Sequence, residues 1–213
     1  MELELKKECL DTYELGEPQT LTQEETAETI VPDYCPDIAR IISAEGVVCL
    51  HGGTEQDGVT GTVRVRVLYT PENESGVRAL EFAMPFSAQG EGLAGCAHVV
   101  VDTEIELLES RMLNPRKIFT RCKLVTHLTG YRKVCLTISA DAEAEPGQRV
   151  EKRCCGQTVS LLRQVAEKDL TFSETMSLSL GREGAAELLH CRANGIVTET
   201  KAIGNKLIFK GVF

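Results

Sequence analysis

Asp33, Cys35 and Asp37 alternate along VPDYCPDIARI (31–41), two carboxylates around a thiol, and no other stretch of the chain offers chemistry so directly. Such a set can ligate a metal ion, or the thiol can act as a nucleophile with acidic neighbours. A cysteine nucleophile needs a base within hydrogen-bond reach. His51 is the nearest histidine in sequence; His98, His127 and His190 complete the set, and none belongs to an HxH or HExxH pattern. The nine cysteines are odd in number and contain no CxxC. Cys9, Cys35, Cys49, Cys96, Cys122, Cys135 and Cys191 are scattered singly, and adjacent Cys154 and Cys155 cannot both serve one tetrahedral zinc. Their expected role is that of small buried hydrophobes with reduced thiols. GGTEQDG (52–58) is glycine-rich but opens no helix, so it reads as a hairpin loop rather than a phosphate cradle. Asp102, Glu104 and Glu106 share one side of a strand and read as a solvated face.

The elements around 31–41 favour architecture over reactivity. Ile38, Ile41 and Ile42 have i, i+3, i+4 spacing, which predicts a short helix with one apolar stripe. Pro36 then takes the first helical position, Asp37 complements the dipole in the first turn, and Gly46 ends the helix. Asp33 stabilises the preceding turn through its side chain. Elsewhere period-two alternation predicts strands. Val59, Val63, Val65, Val67 and Tyr69 share one face of GVTGTVRVRVLYT, opposite Thr62, Arg64 and Arg66. VRALEFAMPF (77–86) follows the polar PENESG loop. HVVVDTEIELLES (98–110) places Val99, Val101, Thr103, Ile105 and Leu107 together. LNPRK (113–117) is a turn, and IFTRCKLVTHL (118–128) and KVCLTISADAE (133–143) are two further strands, with His127 pointing outward. The fold class expected is mainly β: an antiparallel sandwich or barrel-like unit with one short helix.

LKKECLDTYEL (5–15) aligns with EKRCCGQTVSL (151–161) at an offset of about 146 residues. IARIISAEGVV then matches AAELLHCRANGIV, and GVTGTVRV matches LIFKGVF, so that Gly61 meets Gly211. The reading is a tandem repeat, residues 1–145 and an incomplete second copy over 146–213, with AEAEPGQ (142–148) as linker and a second helix over 183–195. A copy that stops inside a sheet leaves an open edge, which favours a fragment of a longer protein.

Composition narrows the partners. A net charge of −9 and a pI near 5.1 argue against nucleic acid, whose phosphates need concentrated Lys and Arg. The basic residues from Arg111 to Lys123 are interrupted by apolar ones and read as strand surface. MELELKKECL lacks an apolar secretory core, and no apolar run approaches the roughly 20 residues that span a bilayer, so a cytoplasmic location without membrane insertion is expected.

LELKK, IVPDYCPDIARII, a Gly-containing strand ending VRVRVLYTPENE, and MPFS occur here in an order that resembles the SPOCS domain of SipL-type spore-envelope morphogenesis proteins of clostridia and their relatives. The resemblance covers about residues 1–130, with a degraded copy from about 150. It implies a non-enzymatic assembly protein without cofactor, acting in the mother-cell cytosol at the forespore surface with a coat-morphogenetic ATPase and other coat proteins. A LysM module, common in that family, is not visible, which fits truncation. LSLGREGAAELL replaces the double Pro-Asp pattern in the second copy, so the aspartates carry no role there. Pro32, Asp33, Tyr34, Pro36 and Asp37 are the candidate partner-binding loop. The alternative is a ligand-binding β module for a carbohydrate or cell-wall fragment, weakened by the absence of Trp and the scarcity of other aromatics. An enzyme using Cys35 or the paired aspartates ranks third.

Overall fold

The computed structural model describes residues 3–51, 58–144, 151, 153, 156, 158–167, 171, 173–175 and 189–213. They form antiparallel strands and, among the described residues, no helix. The strands are β1 (Leu3–Leu15), β2 (Gln19–Ile30), β3 (Ile38–His51), β4 (Gly58–Pro71), β5 (Arg78–Gln89), β6 (His98–Asn114), β7 (Lys117–Ala144), β8 (Ile196–Ile203) and β9 (Lys206–Val212).

β7 organises the first sheet. The segments expected as two strands, 118–128 and 133–143, are one continuous strand. Its first half pairs with β2 on one edge and β6 on the other, and its second half pairs with β1. β1 and β2 thus follow each other along the same edge of β7, and Gly16 N–H between them donates to Gly130 O at 2.8 Å. The second sheet has the order β3-β4-β5. It packs face to face on β2-β7-β6, with β3 beside β6 and β2 beside β5, as a flattened sandwich.

Alternation builds the core between these sheets. Val63, Val65, Val67 and Tyr69 of β4 and Leu80, Met84 and Phe86 of β5 meet Ile118, Cys122 and Leu124 of β7. Thr120 and Thr126 are also buried, and their hydroxyls pair with Ser110 at 2.8 Å and Thr103 at 3.1 Å on β6, so neither is left unsatisfied. On β6 the face expected to run to Leu107 switches. Glu106 is an extra residue between the pairs Ile105–Leu124 and Leu107–Lys123, and beyond this bulge Leu108 packs inward while Leu107 faces out.

The helix expected over Ile38–Ile42 is strand β3 instead. Ala39 and Ile42 are each extra against β4, so Ile38, Ile41 and Ala44 lie opposite the inward residues Pro71, Tyr69 and Val67. Two bulges convert a period of two into a period of three, which imitates a helical stripe, while the β-branched Ile and Val residues suit a strand. Pro36 and Asp37 therefore lie in the connection before β3, with no helix to start or stabilise, and Gly46 is a strand residue rather than a helix stop. A Cβ there would come within 2.8 Å of Ile105 Cδ1, so its absence lets β6 close over β3.

Downstream, Ala142–Ala144 of the expected linker belong to β7, and 145–148 lie outside the described residues. Of the helix expected over 183–195, Leu189–Gly195 are not helical and the rest lies outside the described residues. The described positions in 151–161 form no strand, unlike β1 with which they align. β8 and β9 form a separate two-stranded hairpin. Residues 52–57 are outside the description, but β3 and β4 on either side pair as the antiparallel hairpin expected of that loop.

Candidate functional site

The stretch 31–37 leaves β2, turns, and enters β3. Cys35 N–H donates to Pro32 O at 2.9 Å, closing a turn with Asp33 and Tyr34 at its tip. Across from it lies the Pro115–Arg116 turn that joins β6 to β7, where Arg116 N–H donates to the Asn114 side chain at 2.9 Å. The two segments are sewn together by their backbones: Val31 N–H donates to Arg116 O and Ile38 N–H to Pro115 O, both at 2.9 Å.

The Arg116 guanidinium fills the space this leaves. One terminal nitrogen donates to Cys35 O at 2.8 Å and Asp37 Oδ1 at 3.0 Å; the other donates to Val31 O at 2.8 Å and Asp33 Oδ1 at 3.1 Å. A planar fork with several donors can serve four acceptors at once, which an ammonium cannot. Both aspartates of the double Pro-Asp motif thus face one cation. Asp33 is fully exposed and its ion pair is correspondingly screened, whereas the carbonyl bonds lie deeper.

The D-x-C-x-D set is divided by this arrangement. Asp33 and Asp37 turn to Arg116, and Cys35 turns to the core, where it packs beside Tyr69. The Tyr69 hydroxyl donates to Pro36 O at 3.3 Å, and burial, followed by the neighbouring Cys35, raises its pKa. His51 is at the far end of β3, opposite Thr60, whereas Cys35 packs beside Tyr69, nine residues and so roughly 30 Å further along β4, and the two cannot form a nucleophile–base pair within this chain. Its Nε2 lies 3.2 Å from Thr62 Oγ1. His98 stacks obliquely on Tyr13 with ring centroids 5.7 Å apart, His127 Nδ1 lies 3.0 Å from Thr20 Oγ1, and His190 lies 3.3 Å from Glu45. Among the described residues, no group of three or more His, Cys, Asp or Glu is arranged to hold a metal ion.

Of the five candidate loop residues, Asp33 and Tyr34 at the turn tip are exposed, and Tyr34, at 87%, is the large apolar side chain offered to solvent. Pro32 and Pro36 are half-buried and shape the turn, and Asp37 is held by Arg116. Sequence reasoning missed Arg116. The available signal was an arginine inside the two-residue Asn-Pro-Arg-Lys turn, a place where solvated lysines and arginines are common.

The cysteines divide unevenly. Cys122 fits its expected role: it is wholly buried, and desolvation pushes its thiol up to about 11. Cys9 and Cys135 do not, since they sit diagonally across β1 and β7 with Cα atoms 5.6 Å apart, within reach of a disulfide. Their 126-residue separation hid this, because only the β1–β7 register brings them together. On the outer face of the first sheet the basic residues are matched by acids: Lys117 with Glu28, Arg121 with Glu24, and Lys123 with Glu106 at 2.9 Å. Asp102 and Glu104 are exposed on that same face. No helix of the described residues is long and apolar enough to cross a membrane. No protein-family model, curated protein or solved structure matches the chain.

Proposed function

We propose that this protein is a non-enzymatic interaction module of spore-coat or spore-envelope assembly that binds a coat-morphogenetic ATPase or other coat proteins. The observation that carries this reading is the use made of the Pro-Asp-Tyr-Cys-Pro-Asp stretch. Its polar groups are committed to Arg116 and its thiol to the core, while Tyr34 projects from a braced turn. A rigidly based, exposed tyrosine suits a binding anchor, because little conformational entropy is lost when it is buried. The resemblance of 31–42 and the VRVRVLYTPENE strand to SPOCS domains supplies the biological setting, the mother-cell cytosol at the forespore surface.

The tandem-repeat reading forms part of this proposal. It rests on the sequence alignment, in which β8–β9 falls on β3–β4, and both pairs are antiparallel.

Affinity capture from sporulating cell extract, followed by mass spectrometry, tests the reading. Coat or morphogenetic proteins recovered by the wild type and depleted with Tyr34→Ala support it. Their absence from the wild-type capture counts against it.

A further inference from the structure

β7 outruns one of its neighbours. β6 pairs with it only as far as His98 opposite Tyr131, yet β7 continues to Ala144 with β1, among the described residues, the one strand paired with it there. Tyr131 O accepts from Ala97 N–H on the β6 side at 2.8 Å, and Gly130 O accepts from Gly16 N–H on the opposite side. Backbone polar groups alternate in direction along a strand, so those of Lys133, Cys135, Thr137 and Ser139 point to the side on which β6 has ended. The series stops where Ala140 is extra against β1.

This edge lacks the usual protection. No charge, proline or glycine lies between Val134 and Ile138, and the stretch is rich in β-branched residues. Val134, Leu136 and Ile138 share a face with Leu10 of β1, and Leu136 and Ile138 are 43% and 37% exposed. The charges that flank it have opposite sign at the two ends: Arg132 and Lys133 before, Asp141 and Glu143 after, the last also paired with Lys6. A strand of the same sequence laid antiparallel sets basic end against acidic end, whereas a parallel one sets like against like.

We propose that the edge is taken by the same edge of a second copy of this chain, antiparallel about a twofold axis at Leu136. The two arms then form one four-stranded sheet. In that register Lys133 lies opposite Ser139 and next to Asp141, Val134 lies opposite Ile138, and Leu136 meets its counterpart. Leu10 and Leu136 of both copies make one continuous apolar row. The pairing is isologous, so it closes as a dimer and does not propagate.

Multi-angle light scattering of the full chain in reducing buffer reads the result. A particle of twice the 23.3 kDa chain mass is expected. Leu136→Lys and Leu136→Glu each place like charges together at the axis and give monomers, and mixing the two restores the dimer mass. Thr137→Pro removes an outward N–H while leaving the β1–β7 ladder, and gives a monomer with an unchanged far-ultraviolet circular dichroism spectrum. A wild type that is monomeric throughout the micromolar range overturns the proposal. So does a dimer that survives Leu136→Lys or a folded Thr137→Pro, or charged variants that fail to recombine.

Discussion

Replacing Arg116 by alanine removes the group on which the Pro-Asp loop converges, and the expected loss can be worked from its bonds. The bonds to Val31 O and Cys35 O, both 2.8 Å, are charge-assisted and contribute about 1.5–3 kcal/mol each. Asp33 is fully solvated and adds nothing measurable, while the half-exposed Asp37 adds about 0.5 kcal/mol. Arg116 is itself one-third exposed, which favours the lower end, a total of about 2–4 kcal/mol. For a chain of this size that corresponds to a fall in Tm of roughly 5–12 °C, readable by calorimetry. Arg116→Lys keeps the charge but cannot reach both carbonyls, so it restores less than half of the loss. Asp33→Asn keeps the wild-type Tm. Hydrogen exchange adds a local readout: the Val31 and Ile38 amides, which donate to Arg116 O and Pro115 O, lose protection in the alanine variant. A Tm within about 2 °C of wild type for Arg116→Ala, or full recovery with lysine, would refute the bracing role.

Three further outcomes are expected. The folded-state pKa of Cys122, about 11 against an ordinary 9.0, means that its contribution is complete below pH 9 and is lost as pH rises through 11. Denaturation curves for wild type should therefore fall by up to about 2–3 kcal/mol more than those of Cys122→Ala across that interval, and parallel curves would contradict this. Gly46→Val forces a side chain into Ile105, Leu108 and Val63 and costs about 1–3 kcal/mol by urea denaturation; a neutral effect would mean that β3 and β6 do not close as described. Alkylation of the native, unreduced protein labels exposed Cys191 while Cys9 and Cys135 remain linked in one pair of peptides, and free Cys9 or Cys135 would argue against their pairing.

Where one face is buried and the pairing is regular, the sequence was a sufficient guide. The alternation of Val59 to Tyr69, the Asn-Pro-Arg-Lys turn and the antiparallel pairing of β4 with β5 and of β6 with β7 could be read from period and turn chemistry, whereas the crossing from one sheet to the other between β5 and β6 could not. It misled where bulges intervened. Ala39 and Ile42 stretched the spacing of inward residues on β3 to three, and Glu106 exchanged Leu107 for Leu108 on β6. A bulge is decided by the partner strand, so a single strand's periodicity does not reveal it. The candidate loop was legible as a compact Pro- and Asp-rich connection. The cation at its centre was not, because Arg116 lies 79 residues from Asp37 and only the β2–β7 and β6–β7 registers bring it there. The Cys9–Cys135 contact was hidden for the same reason.

The central claim is that a loop braced by Arg116 presents Tyr34 to a protein partner in coat assembly. Biolayer interferometry against the purified coat-morphogenetic ATPase tests it most directly, with wild type, Tyr34→Ala and Asp102→Asn as a control on the remote sheet face. The account predicts saturable binding that weakens about tenfold or more with Tyr34→Ala, the scale of an interface hot spot, and is unchanged by Asp102→Asn. No binding by the wild type, or equal affinity for Tyr34→Ala, would contradict it.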